Sequence, residues 1–256
     1  MSNLKERLEN RLAKNQKFFV AYVMVGEESL EKTYEDVLFL EKAGATVIEL
    51  GVPFSDPVSD GVVIQESGIK SLKNGTTLAD VLALVEKIRK VSDIPLLLMG
   101  YLNPFYKYGI ENFFKEAKRV GVEGVIIPDL PLEEFPLISD YVKNYGIDYI
   151  PFFSPTTPIE RIKNLCKVGG GFLYVVTSLG VTGEKDLDNE PLRKVLREIK
   201  SHSSLPIAAG FGISSKEAID GIIDSCDGVI VGTKIINLLR VNDYKGLEDL
   251  MEGFRV

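Results

Sequence analysis

The chain has 256 residues, 45% hydrophobic composition and a net charge of −7. Such a chain can build one sizeable core, and residues 1–256 match the length of a single-domain α/β barrel. The acidic balance argues against nucleic-acid binding, and no run approaches the roughly 18 apolar residues of a membrane span.

Met1 to Asn15 is charged and polar, with Leu4, Leu8 and Leu12 at helical spacing. It reads as a short amphipathic helix and not as a signal peptide. Phe18 to Val25 is a first strand closed by Gly26, and Ser29 to Ala43 is a helix stopped by Gly44. Thr46 to Leu50 is the second strand. Its loop runs through Gly51-Val52-Pro53-Phe54-Ser55-Asp56-Pro57-Val58-Ser59-Asp60-Gly61. Two helices follow, about Val63 to Lys73 and Thr77 to Lys90, the latter with Leu78, Val81, Leu82, Val85 and Ile88 on one face.

Ile94 to Gly100 is the third strand, and its loop carries Tyr101, Asn103, Pro104 and Phe105. A helix through Ile110, Phe113, Phe114 and Ala117 ends at Gly121. Gly124 to Ile127 is the fourth strand, left through Pro128-Asp129-Leu130-Pro131. Glu133 to Tyr145 is a helix, Tyr149 to Phe153 the fifth strand, and Pro158 opens the next helix. Phe172 to Val176 is the sixth strand, and Pro191 opens another helix. Pro206 to Gly210 and Gly228 to Gly232 are the seventh and eighth strands. Eight strand–helix units in this length argue for a (β/α)₈ barrel with an extra N-terminal helix. A doubly wound sheet is the alternative, and the absence of Gly-x-Gly-x-x-Gly after the first strand counts against it. Gly180 to Asn189 is polar and glycine-containing, and reads as a mobile lid.

Cys166 and Cys226 lie far apart without metal-like spacing, as expected of free thiols in a reducing cytoplasm. The single histidine, His202, sits in Ser201-His202-Ser203-Ser204 and reads as a surface loop residue. Acid–base work therefore falls to carboxylates or tyrosine. Glu49 ends a buried strand, where an acid is costly unless partnered or used. Asp56 and Asp60 follow on the loop, with turn formation beside Pro57 and Gly61 as their alternative role. Three carboxylates in different surroundings suit groups whose pKa values are pushed apart.

Ligands of such barrels bind at the C-terminal ends of the strands. There Gly210-Phe211-Gly212-Ile213-Ser214-Ser215 and Gly232-Thr233 lead into helices, so their backbone N–H groups suit a phosphate. Simple capping, with Ser214 and Glu217 as a capping box, is the other reading, and both can hold. Tyr22, Tyr101, Phe152, Tyr174 and Phe211 add aromatic surface for a flat apolar group, or serve as barrel packing.

The segments Glu49 to Pro57 with Asp60-Gly61, Asn103-Pro104, Pro128 to Pro131, Gly180 to Gly183 and Gly210 to Ser214 occur in an order that resembles the tryptophan synthase α subunit family. The resemblance spans nearly the whole chain. It implies retro-aldol cleavage of indole-3-glycerol phosphate to indole and glyceraldehyde 3-phosphate. Glu49 would serve as acid and then base, and an ionised, more solvated Asp60 would bind the indole N–H. Tyr174 would border the glyceryl group, and Tyr22, Tyr101 and Phe211 would enclose the indole. Gly183, Phe211, Gly212, Gly232 and Thr233 would hold the phosphate, while Thr182 would orient Asp60 on lid closure. No metal or organic cofactor is required. The implied partner is a pyridoxal-phosphate-bearing β subunit in an αββα assembly. Pro53, Phe54, Asp56, Asn103, Pro104, Phe105, Asp129, Leu130 and Pro131 would face it, with Asp129 alternatively a structural turn residue.

The chain departs from the family pattern in places. Gly26-Glu27-Glu28 stands where Gly-Asp-Pro is usual, Tyr22 where phenylalanine is common, Leu179 where a more polar residue is common, and Thr233 in place of serine. Competing readings are a free-standing lyase, a non-catalytic activator of a β protein, and a phosphosugar isomerase, which would leave the 49–61 stretch unexplained.

Overall fold

A computed structural model of the chain describes residues 4–176, 190–210 and 212–254. The helix α1 (Leu4–Leu12) precedes β1 (Phe18–Met24), α2 (Leu30–Ala43), β2 (Val47–Gly51), α3 (Val62–Lys73), α4 (Leu78–Ile88) and β3 (Leu96–Met99). Then come α5 (Leu102–Tyr108), α6 (Ile110–Val120), β4 (Gly124–Ile126), α7 (Ser139–Tyr145), β5 (Asp148–Tyr149), β6 (Phe152–Phe153), α8 (Ile159–Val168) and β7 (Leu173–Val176). The last are α9 (Glu190–His202), β8 (Ile207–Gly210), α10 (Lys216–Asp220), β9 (Gly228–Val231), α11 (Thr233–Arg240) and α12 (Tyr244–Leu250).

All paired strands are parallel, in the order β5-β4-β3-β2-β1-β9-β8-β7-β6. The two ends of that order, β5 and β6, are halves of the expected fifth strand. Pro151 between them has no N–H to donate, so the ladder breaks there. Closure survives the break. The Ile150 N–H donates to the Val125 carbonyl at 2.9 Å on one side, and the Pro151 carbonyl accepts from the Tyr174 N–H at 2.9 Å on the other. The sheet is thus the expected barrel, with its fifth strand divided.

The strands are buried on both faces, which is why they read as continuous apolar runs. Side-chain alternation sorts them. Phe18, Val20, Tyr22 and Met24 join the cluster inside the barrel, and Phe19, Ala21 and Val23 join the one beneath the helices. Val47 belongs to the inner cluster and Ile48 and Leu50 to the outer one, so Glu49 faces inward. Leu4 and Leu8 of α1 belong to the inner cluster as well, at 1% and 2% exposure. The N-terminal helix therefore plugs the end of the barrel opposite the strand C-termini.

Several local expectations shift. Pro136 interrupts the helix expected from Glu133, giving a 3₁₀ turn over Leu132–Leu137 before α7. The cap of α10 is Ser215, whose hydroxyl accepts the Ala218 N–H, and not Ser214. Pro158 is the residue before α8. His202 is exposed, but as the last residue of α9. Cys166 and Cys226 are free thiols.

Candidate active site

Glu49 is fully buried on β2, in register with Tyr22 of β1 and Leu97 of β3. Neither of its carboxylate oxygens has a hydrogen-bond partner. Burial, then the nearby charge of Asp60, push its carboxyl up to about 8. An acid so placed is protonated at neutral pH and poised to give its proton away.

Asp60 sits at the exit of the β2 loop, just before Gly61, the residue preceding α3. The Gln65 side-chain amide donates to its carbonyl at 2.8 Å, tying the loop end to the first turn of that helix. Tyr101 organises the carboxylate. Its hydroxyl accepts the Ser59 N–H at 2.9 Å and donates to Asp60. Burial pushes Asp60 up to about 6 against that hydrogen bond, and its Oδ1 is buried without a partner. Asp60 is less buried than Glu49, as the expected division between the two carboxyls requires. The group is partly buried and remains ionised at neutral pH by a narrower margin.

Tyr22 and Tyr174 complete the cluster, at 4% exposure each. Burial first, and the two carboxylates second, hold both phenols well above their ordinary pKa, so they stay neutral. Tyr174 packs edge-on against Phe152 at 5.1 Å, and Phe54 stacks on Tyr101 at 5.2 Å. Two glycines make this crowding possible. A Cβ on Gly51 would lie 2.7 Å from the Tyr22 ring carbon that bears the hydroxyl, and one on Gly210 would lie 2.5 Å from the Tyr174 ring. Gly51 escaped the sequence reading as a site residue. Its one sequence signal is a glycine two residues after the inward acid, on the same face of the same strand.

At the end of β9, Gly232 precedes α11, and no side chain caps that helix. Thr233 is its exposed first residue. Gly212 has φ +76 and open space where a Cβ would stand. These positions leave backbone N–H groups accessible to an anion. Thr182, Gly183 and Phe211, with the expected lid and Leu179, lie outside the described residues. Among the described residues no group of three or more His, Cys, Asp or Glu side chains is arranged to hold a metal ion.

The residues expected to face a partner divide. Asp56, Asn103 and Pro131 are exposed, and Phe54 and Pro104 are half-buried. Pro53, Phe105 and Leu130 are buried in the chain's own core, which corrects the expectation that they face outward. Phe105 stacks on Phe113 at 4.2 Å, holding α5 to α6. Asp129 is exposed but has a structural task, its Oδ1 accepting the Leu102 N–H at 2.9 Å at the start of α5. Val58 on the β2 loop and Tyr106 on α5, 82% and 72% exposed, add apolar surface that the sequence did not single out.

A family model described as tryptophan synthase alpha chain matches residues 8–252. A tryptophan synthase alpha chain from Bacillus cereus is 43% identical over 248 residues, covering 97% of this chain and 96% of its own. One from Bacillus anthracis is 42% identical over 235 residues, with 92% and 91% covered. The crystal structure of the tryptophan synthase subunit alpha of Legionella pneumophila superposes with a TM-score of 0.91 at 33% identity, covering 100% of this chain and 97% of that one. A chain of the tryptophan synthase α2β2 complex of Pyrococcus furiosus superposes with a TM-score of 0.85 at 32% identity, with 92% and 98% covered. With its barrel and a family match over nearly its whole length, this chain belongs to the tryptophan synthase alpha chain family.

Proposed function

We infer that the chain cleaves indole-3-glycerol phosphate to indole and glyceraldehyde 3-phosphate, with Glu49 and Asp60 as its acid–base pair. What supports the residue assignment is the inward, fully buried and unpartnered Glu49 carboxyl near a less buried Asp60 that Tyr101 holds, so that burial pushes the first up to about 8 and the second to about 6. Glu49 protonates the indole carbon that bears the side chain. Positive charge then develops at the indole nitrogen, and ionised Asp60 accepts a hydrogen bond from its N–H. The Glu49 carboxylate next takes the proton of the adjacent side-chain hydroxyl as the carbon–carbon bond breaks, which returns it to its starting form. Tyr174 borders the glyceryl group, and Tyr22 and Tyr101 line the indole site. Phosphate is held by backbone N–H groups at Gly212, Gly232 and Thr233, joined by Gly183 and Phe211, while Thr182 orients Asp60.

The chemistry is carried by protein side chains. The cofactor of tryptophan synthase, pyridoxal phosphate, belongs to the β subunit, which is this chain's partner in an αββα assembly. Asp56, Asn103 and Pro131, with Phe54 and Pro104 beside them, form the face we assign to that partner. They come from the loops after β2 and β4 and from α5, the helix that stands where a loop was expected after β3, so three adjacent strands lead to this face. No described helix is long and apolar enough to cross a membrane. A cytoplasmic biosynthetic enzyme of a single domain fits this reading.

Indole release by the purified chain, with and without a tryptophan synthase β subunit, tests the function. Slow release that rises sharply with β supports the coupled enzyme, and rapid release indifferent to β supports a free-standing lyase. Glu49→Gln should lower release by about 10³-fold while inorganic phosphate still competes for the site. Cleavage by that variant at a rate comparable to the parent would remove Glu49 from its role.

A further inference from the structure

The turn after β1 is where the chain departs from the motif it otherwise resembles, and the structure gives that departure a task. Gly26-Glu27-Glu28 is held on α3 and the turn that follows it. The Ser67 hydroxyl donates to Glu27 at 2.6 Å, and the Asn74 amide donates to the carbonyls of Gly26, Glu27 and Glu28 at 2.9 to 3.1 Å. Glu27 also pairs with Lys70 at 3.1 Å and with Arg240, the last residue of α11, at 2.7 Å. Both members of the latter pair are largely shielded, with 17% of the Glu27 side chain and 23% of the Arg240 side chain exposed. Burial opposes the Glu27 charge, but the bonds to Ser67, Arg240 and Lys70 outweigh it and hold the carboxyl below its ordinary pKa.

Arg240 does more than neutralise Glu27. Its other nitrogens reach the Ser67 hydroxyl at 3.2 Å, the Val63 carbonyl at 3.4 Å and the Glu66 carboxylate at 3.6 Å. Val63 lies in the first turn of α3, three residues beyond Asp60. The same turn also carries Gln65, which donates to the Asp60 carbonyl. At the other end of α11, Ile64 of α3 lies 3.5 Å from where a Cβ on Gly232 would stand. So α3, which carries Asp60 at its start, is clamped to α11, which carries the phosphate positions at its start. The Glu27–Arg240 pair is the polar half of that clamp, and Ile64 is the apolar half.

We propose that Glu27 and Arg240 are positioning residues for the cleavage, fixing the first turn of α3 and hence the Asp60 carboxylate relative to the indole and phosphate sites. The proposal rests on the assignment of Asp60 in the preceding section. Small displacements matter here because an error of about 1 Å in a reacting group can cost about 100-fold in rate.

The test uses the full chain and three variants, Glu27→Gln, Glu27→Asp and Arg240→Met, assayed well below their unfolding temperatures. Indole release by the parent chain comes first, and its absence would overturn the underlying reading independently of the variants. With the parent active, Glu27→Gln and Arg240→Met should lower kcat about tenfold while inhibition by inorganic phosphate changes less than about twofold. The acid limb of the rate profile, set by Asp60, should move below pH 6 in both, as a displaced carboxylate regains solvent. Glu27→Asp, which keeps the charge, should recover most of the rate. Unchanged kcat and acid limb, whatever the loss in Tm, would reduce the pair to a structural fastening and overturn the proposal. Parallel loss of phosphate inhibition and kcat would also overturn it, because it would mark a general loosening of the site.

Discussion

Glu49 and Asp60 differ in what surrounds their oxygens, and pH is the variable that separates them. Catalysis needs Glu49 protonated and Asp60 ionised, so kcat/KM of the free chain should fall below about pH 6 and above about pH 8. Asp60→Asn should abolish the acid limb as well as most of the rate, and an acid limb that persists in its residual activity would assign that limb to another group. Gly51 invites a second test. A methyl group there collides with the Tyr22 ring, so Gly51→Ala should cost about 1–3 kcal/mol in denaturant unfolding. Tyr22→Phe in that background should recover part of the loss, and full additivity of the two changes would contradict the collision. Glu49 was legible in the sequence because an acid closing an apolar run has few innocent explanations. Gly51 was not, because its neighbour comes from β1, and only the register of two parallel strands brings the two together.

Helices and strands were legible to the extent that one face or both faces carried their signal. The helix α4 has five apolar residues at helical spacing and a capping box between Thr77 and Asp80, and the sequence located it within two residues at its far end. The misjudged elements share a local cause, a group that the pattern of apolar residues does not report. Pro151 divides a strand and Pro136 tightens a helix into a 3₁₀ turn by removing backbone donors. At α10 the capping-box spacing to Glu217 favoured Ser214, but which of two adjacent serines caps depends on where the chain turns in. The structure assigns the cap to Ser215. Ser215→Ala should therefore cost about 1 kcal/mol, while Ser214→Ala, an exposed position, should leave unfolding unchanged within about 0.5 kcal/mol. The reverse order in urea unfolding would restore the sequence-based choice.

The barrel as a whole separates a reacting end from an anchoring end, and the second has its own electrostatic signature. Asp148 begins β5 beside Gly124 of β4. Burial, then the charge of Glu123, push it up to about 6, and its Oδ2 is buried without a partner. Glu123, the like charge beside it, accepts from Arg7 of the plugging helix and from Arg89, each at 3.2 Å. The sign of the linkage follows from the raised pKa. The folded state holds the Asp148 proton up to about pH 6, whereas the unfolded chain releases it near the ordinary 3.8. Stability from this group is complete below about pH 4, falls as pH rises to about 6, and stays low above that. Asp148→Asn keeps an acceptor for the backbone and removes the charge, so it should stabilise the chain at pH 8 by about 2–3 kcal/mol and not at pH 4. Glu49 contributes a dependence of the same sign, which the difference between parent and variant curves removes. Parallel curves for the two proteins between pH 4 and pH 8 would show that Asp148 is not the group responsible. Indole release should be unaffected, since the substitution lies at the closed end of the barrel, whereas the proton that Glu49 holds is the one the reaction consumes and restores.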